Sequence, residues 1–445
     1  MLAASSNLLL QLSLWSDADK ALLRQLSPRS WFPDEGELLE QLHDVAEAPS
    51  ITDQSTIPSS VVEALEPLQV IAEYRQRHSV EALKANPHNR TYTIAYYSCP
   101  QQAGNRMFHF FNAIVWSMVT NRTVLWKYYD EETCEALGGQ SKSCEGGGPF
   151  VCEQANREED CEAILRRNRW MPSYDEWAEK LDLPPPEQLH FWTTRPKKTA
   201  WYHTPDCPWQ DGFEEYQGAD AMAHKTVVHF PRMVSADTYL HSAVSRRELL
   251  TTERAHKIAE RLHVYGTGFL HGALFREMFE PIHPSFEQTR GDVSSTNTTY
   301  SIAVHSRHTN PKASGIKPSH EMRCLKKLTL HHVKDRECRV YVMSDRRGTV
   351  DRLSEWATEH NCTAIVAVHT EGSGTRDEHG PWAGLGFYQD MFSVARARSA
   401  MISSESTSSQ LVLALMAYDR RVEAVLASQN ADDLPDMQRC QMPMK

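Results

Sequence analysis

Several signatures that would assign this sequence at sight are missing. No Cys-x-x-Cys pair occurs among its ten cysteines, so zinc ribbons and thioredoxin-type redox motifs have no support. No Gly-x-Gly-x-x-Gly follows a strand-like run and no P-loop is present, which disfavours a dinucleotide-dependent oxidoreductase and a P-loop NTPase. Gly266-Thr267-Gly268 lies inside a helical pattern and lacks the third glycine. Basic excess is missing too. Lys and Arg number 47 against 58 Asp and Glu, a formal net charge of −11, which excludes a broad basic face for a nucleic-acid backbone. A phosphate ligand then needs a local pocket. No run of ~18 apolar residues supplies a spanning helix. The stretch Asn7 to Leu14 is too short, and too poor in preceding basic residues, for a signal peptide.

What is present is globular: 445 residues, 40% hydrophobic and 24% charged, enough for two to three domains at about 150 residues each. Five cysteines, Cys134, Cys144, Cys152, Cys161 and Cys207, crowd one irregular stretch. Their spacing suits a disulfide-stapled insertion in an oxidising compartment, against the alternative of buried free thiols in a cytosolic protein. Four Asn-x-Ser/Thr sequons, at Asn89, Asn121, Asn297 and Asn361, lean the same way, although Asn121 closes an apolar helix and is not expected to carry a glycan. The expectation is a protein of the secretory pathway, in the Golgi or endoplasmic reticulum lumen, with a membrane anchor missing from this chain.

Residues 1–88 read as a polar helical stem or extension. The acidic triplet Asp17-Ala18-Asp19 matches a metal-binding pattern of sugar transferases, but in that context it reads as a solvated helix face, and no metal is expected. Residues 89–290 open with a strand from Thr93, a loop from Ser98 to Arg106, a helix from Met107 to Thr120 and a second strand from Thr123, which is a βαβ unit. Residues 130–215, with Gly146-Gly147-Gly148 and Pro184-Pro185-Pro186, form an irregular insertion. Val227 to Phe230 reads as a strand, and one helix is expected from Ala255 to the stop at Pro281. After a Ser/Thr/Gly-rich linker, residues 291–445 read as a Rossmann-like domain. Strands fall at Tyr300–Val304, Arg339–Met343, Ala364–Val368 and Ala400–Ile402, with helices at Phe387–Arg398 and Gln410–Tyr418.

The strands of this last unit end in polar residues: His305 and Arg307, Asp345, and the hydroxyl-rich run Ser403 to Ser409. In a parallel sheet the carboxyl ends form one rim where ligands bind. Arg307 offers a planar fork to phosphate, and a hydroxyl-rich helix start is an anion cradle. His305 would bond the base or orient Arg307, and Asp345 would take a ribose hydroxyl, a base edge or a histidine. Singly, each has a plain alternative: a rim ion pair, a core histidine, an N-cap.

The same residues carry a resemblance. Gly104-Asn105, His109-Phe110 and Asn121-Arg122-Thr123 resemble the first motif of protein O-fucosyltransferases. Ala303 to Asn310 is similar to the His-x-Arg-x-x-Asp donor motif shared by α1,6-, protein O- and plant α1,2-fucosyltransferases of the GT-B superfamily. Val340 to Asp345 resembles their second motif, and Phe387, Asp390, Ser403 to Ser406 and Ser409-Gln410 their third. This resemblance implies an α/β fold of GT-B type, two Rossmann-like domains facing a cleft with an N-terminal helical extension. It implies a metal-independent inverting transferase without a cofactor, moving fucose from GDP-fucose to a glycan or glycoprotein acceptor. Arg307 would hold the β-phosphate and His305 would lie near guanine, with Asp390 near the base. Ser406 would bind phosphate, with Ser404 or Ser409 in other registers and Thr407 and Gly104 beside the donor. Asn105 would support the departing diphosphate.

Two residues depart from the pattern. Asn310 stands where the donor motif has Asp, and Gly315 falls near a Glu of the α1,6 enzymes. The base would then be Asp345 or an acidic residue of the insertion, unless a well-stabilised leaving group needs none. The alternatives are a nucleotide-sugar-binding or lectin-like protein of the same fold without transfer, and a transferase using another nucleotide sugar.

Overall fold

The computed structural model describes residues 57–87, 90–96, 103–127, 165–167, 170–183, 227–229, 240, 252–281, 299–308, 317–329, 336–344, 346–366, 390–391, 393–395, 397–403, 406–426 and 438–442. The Asp17-Ala18-Asp19 triplet, most of the cysteine-rich insertion, the linker and the sequons at Asn89 and Asn297 lie outside them.

Helices α1 (Ser59–Ala64), α2 (Glu66–His78) and α3 (Val80–Ala85) precede the first strand. The helical expectation holds over this stretch, but these helices do not stand apart as a stem. Val61, Leu65, Leu68, Ile71 and Tyr74 are buried in the largest core. The Tyr74 hydroxyl donates to the Arg122 carbonyl at 2.7 Å and accepts from the Val124 amide at 3.1 Å.

Strand β1 (Tyr92–Tyr96) leads to helix α4 (Ala103–Thr120) and strand β2 (Thr123–Lys127). With β4 (Val227–His229) these form a parallel sheet in the order β2-β1-β4, alongside a small antiparallel pair of β3 (Leu165–Arg167) and β5 (Phe279–Pro281). A single turn, α5 (Tyr174–Trp177), caps this sheet on the side opposite α4, with Tyr174 and Trp177 buried against Ile94 and Leu125.

The long helix expected up to Pro281 is two helices, α6 (Glu253–His263) and α7 (Gly266–Met278). The break comes at Gly266, whose φ of 79° is open to glycine and interrupts the right-handed run. Gly272 of α7 has a second role. A Cβ there would run into the Ala414 carbonyl and approach Tyr418 Cβ to 2.7 Å, so a close helix crossing needs its bare backbone.

The second sheet is five-stranded and wholly parallel, in the order β10-β9-β6-β7-β8. Its strands are β6 (Thr299–Ser306), β7 (Glu337–Ser344), β8 (Cys362–Val366), β9 (Ser399–Ser403) and β10 (Gln438–Met442), with helices α8 (Pro318–Thr329), α9 (Arg347–Glu359) and α10 (Thr407–Leu426). Every residue of β6 is buried, as expected for a central parallel strand covered on both faces. Tyr300, Ile302 and Val304 pack with α8 and α9, while Ala303 faces the core shared with α4, α7 and α10. Two disulfides, Cys324–Cys440 and Cys338–Cys362, staple this unit, and the cysteines of the insertion lie outside the described residues. Two parallel α/β units are therefore present, as the α/β expectation required.

Candidate functional site at the ends of β6 and β9

From β6 the chain runs through β7 to β8 on one side, then returns to place β9 and β10 on the other. The order reverses between β6 and β9, and the crevice at the carboxyl ends of such strands is where open α/β sheets take ligands. His305 and Arg307 lie there, at the end of β6. His305 Nδ1 is 2.5 Å from Ser409 Oγ, although the two are 104 positions apart. His305 is 7% exposed and Ser409 wholly buried, so this contact fixes the end of β6 against the first turn of α10.

Ser406, 8% exposed, precedes that helix, and its hydroxyl faces the Ser409 amide at 3.5 Å in N-cap fashion. Helix α10 starts at Thr407, three residues before the expected Gln410, so Thr407 and Ser409 belong to its first turn. A first turn carries the positive end of the helix dipole and directs amides outward, which suits a phosphate.

Two serines that end the neighbouring strands hold β6 from either side. Ser403 donates to the His305 carbonyl at 3.2 Å and accepts from the Arg307 amide at 2.8 Å. Ser344 donates to the Ser306 carbonyl at 2.8 Å. The backbone beneath Arg307 is thereby bonded to both flanking strands, and Arg307 itself is half-buried.

Residues of alternate parity on β6 point to the other face and meet a cluster the sequence reading missed. Glu321 of α8 is wholly buried and accepts from Ser306 Oγ at 2.6 Å, lies 3.1 Å from His308 Nε2, and pairs closely with the Arg352 guanidinium of α9. Thr349 completes the group at 3.0 Å from His308 Nε2. Burial pushes the Glu321 carboxyl pKa up, but the bonds from His308, Ser306 and Arg352 outweigh it and hold the group below its usual range. One signal could have revealed it: Glu321 shares the i, i+4, i+7 stripe of α8 with Leu325 and Leu328, an acid on a face otherwise apolar.

Asp390 is wholly buried and accepts from the Tyr341 hydroxyl at 2.7 Å. Burial first, and then the Asp390 charge, push the Tyr341 phenol well above its usual pKa. Gly104 and Asn105 were expected in the loop after β1. They sit instead in the first turn of α4, because Ala103 already begins that helix. Below that turn, His271 Nε2 lies 3.1 Å from Asn112 Oδ1, and burial lowers the His271 pKa to about 3. The ring is neutral at ordinary pH. Asp345 and Ser404 lie outside the described residues. Among the described residues no three His, Cys, Asp or Glu side chains converge as a metal site, and no helix is long and apolar enough to cross a membrane.

No family model and no curated protein matches this chain. Among solved structures it is similar to a mutant FUT1 of Arabidopsis thaliana in complex with GDP, at 12% identity and a TM-score of 0.47 over 79% of this chain and 77% of that one. It is also similar to the fucosyltransferase NodZ from Bradyrhizobium, at 14% identity and a TM-score of 0.40 over 73% and 93% of the two chains. A third likeness is to POFUT1 in complex with GDP-fucose, at 12% identity and a TM-score of 0.40 over 79% and 98%.

Proposed function

We propose that this protein is a GT-B glycosyltransferase of the secretory pathway that binds a nucleotide sugar at the carboxyl ends of β6 and β9, with GDP-fucose as the first candidate. The reading rests on the contact between His305 and Ser409, which joins the Arg307 segment to the start of α10 and so builds a two-sided diphosphate cradle. Arg307 supplies a fork of donors from one side. Ser406, Thr407 and the first turn of α10 supply hydroxyls and dipole from the other. His305 and Asp390 are assigned to the nucleoside end, and Gly104 and Asn105, across on α4, to the sugar and the departing diphosphate.

In the inverting reaction the acceptor hydroxyl bonds to the anomeric carbon as the bond to the β-phosphate oxygen breaks. The electron pair leaves with the diphosphate, and the hydroxyl proton passes to Asp345, to an acid of the insertion or to the phosphate itself. Arg307 and the helix start stabilise the charge that develops on the diphosphate, a contribution that grows toward the transition state. The acceptor is a glycan or glycoprotein.

Thermal shift with GDP, UDP, ADP and CDP, with and without chelator, tests the donor. Stabilisation by GDP beyond the others is expected, and equal or absent shifts overturn the assignment. Arg307→Ala is expected to abolish transfer from GDP-fucose while the melting transition stays cooperative. Retained turnover refutes the role of Arg307. GDP binding with neither transfer nor hydrolysis of GDP-fucose favours the lectin-like alternative, to which Asn310 in place of the motif Asp belongs.

A further inference from the structure

Two of the four sequons lie among the described residues, and the fold treats them differently. Asn121 sits in the turn between α4 and β2 with φ 56°, and its Oδ1 is 3.3 Å from His78 Nε2. The residues that follow it, Arg122 and Thr123, are buried at 3% and 0% exposure, and the Thr123 hydroxyl is 2.8 Å from His78 Nδ1. The second sequon is Asn361-Cys362-Thr363, in the turn from α9 into β8. Here Asn361 and Thr363 are both exposed, and only Cys362 between them is buried, in its bond to Cys338.

The two-residue period of a strand explains this. It sends Cys362 into the sheet and leaves the acceptor asparagine and its hydroxyl partner on one outer face. The Asn361 amide nitrogen of the backbone donates to Thr358 at 3.2 Å and the residue adopts φ 57°, a left-handed turn that asparagine tolerates well. Its side chain makes no hydrogen bond among the described residues.

We propose that Asn361 carries an N-linked glycan. The donor class is an oligosaccharide on a lipid pyrophosphate. Asn361 Nδ2 bonds to the anomeric carbon of the first sugar as the bond from that carbon to the pyrophosphate oxygen breaks. The pyrophosphate leaves with the electron pair, and the nitrogen loses one proton. The setting agrees. Both described disulfides call for an oxidising compartment, which is where such transfer takes place. The position also gives the modification a physical role. Among the described residues β8 is the edge strand of the second sheet, five residues long, and ends at Val366, 43% exposed. Unpaired strand edges invite association, and a bulky hydrated chain rooted at the start of β8 blocks a second strand from approaching.

The test uses the full chain produced behind a secretory leader in eukaryotic cells. Release by peptide N-glycosidase in heavy-oxygen water is expected to convert Asn361 to labelled Asp in the corresponding peptide. Thr363→Ala removes the sequon without touching the left-handed residue and is expected to lose one glycan on a gel. Thr363→Ser keeps the sequon and is expected to retain it, and Asn121→Gln serves as the comparison. An unlabelled Asn361 peptide from protein whose Cys338–Cys362 bond has formed overturns the proposal, as does a Thr363→Ala chain with an unchanged glycan count.

Discussion

Glu321 gives the sharpest test of how the end of β6 is held beneath Arg307. Its carboxylate is wholly buried and meets Ser306, His308 and Arg352 together. Glu321→Gln keeps the shape, removes the charge and turns an NH2 toward groups that were donating. Breaking a buried charged network by removing one partner costs about 3–5 kcal/mol. Arg352 is 33% exposed and regains water, whereas His308, with a side-chain exposure of 3%, cannot, so a loss near the lower end, about 3 kcal/mol, is expected. Urea unfolding monitored by fluorescence reads it as a lower midpoint at unchanged slope.

The pH dependence adds a second requirement. The Glu321 pKa is lowered in the folded protein, so its contribution is complete above the unfolded carboxylate value of about 4.3 and is lost as pH falls through the folded value. The gap between wild type and Glu321→Gln therefore closes in acid. On the proposed role of Arg307, nucleotide affinity in a thermal-shift titration is expected to fall with the variant too, because Ser306 and His308 flank Arg307. A Glu321→Gln protein within about 0.5 kcal/mol of wild type at pH 7, or a gap that persists in acid, refutes the reasoning.

Three further outcomes are expected. Gly272→Ala forces a Cβ onto the Ala414 carbonyl, backbone that cannot step aside, and should cost about 3 kcal/mol, whereas Gly268→Ala, with nothing within 4 Å, should gain a few tenths; melting temperatures decide. His78 and His271 have pKa values lowered by burial to about 4 and about 3, so each contributes fully above about pH 6.5 and loses that contribution as pH falls. At pH 5 each ring then costs on the order of 2 kcal/mol, and a denaturation midpoint unchanged between pH 7 and 5 contradicts it. Cys440→Ser releases a link across 116 residues and is expected to cost about 2–4 kcal/mol, with hydrogen exchange accelerated in β10 before any other strand.

The strands around the site were legible because Tyr300 to Val304 and Arg339 to Met343 are short runs rich in β-branched and aromatic residues, as expected for strands buried in a parallel sheet. Helices α8 and α9 were not read, since Arg, Lys, His and Glu crowd them and each buries one narrow stripe. β10 reads Gln-Arg-Cys-Gln-Met and is a strand only because β9 pairs with it and Cys324 holds it. Within the site, Arg307 and the serine run announced themselves by ending strands. The tie between His305 and Ser409 did not, and neither did Glu321, because both depend on which helix the sheet sets against which strand. Gly104 and Asn105 were found but misplaced, as glycine and asparagine suggest a loop while Ala103 already starts the helix.

Helix α10 begins at the strand ends of the second sheet and, over about 30 Å, buries Leu411, Leu415, Met416 and Tyr418 in the core that also holds α1, α4 and α7 of the first. Arg276 of α7 grips Asp419 through both carboxylate oxygens, at 2.6 and 3.2 Å, past the middle of α10. One rod thus has its head beside His305 at the end of β6 and its shaft inside the opposite unit. The molecule is indivisible in consequence: a clone cut at the linker leaves the first half with an open apolar trench and the second with a naked greasy helix, and neither fragment should survive as a soluble product.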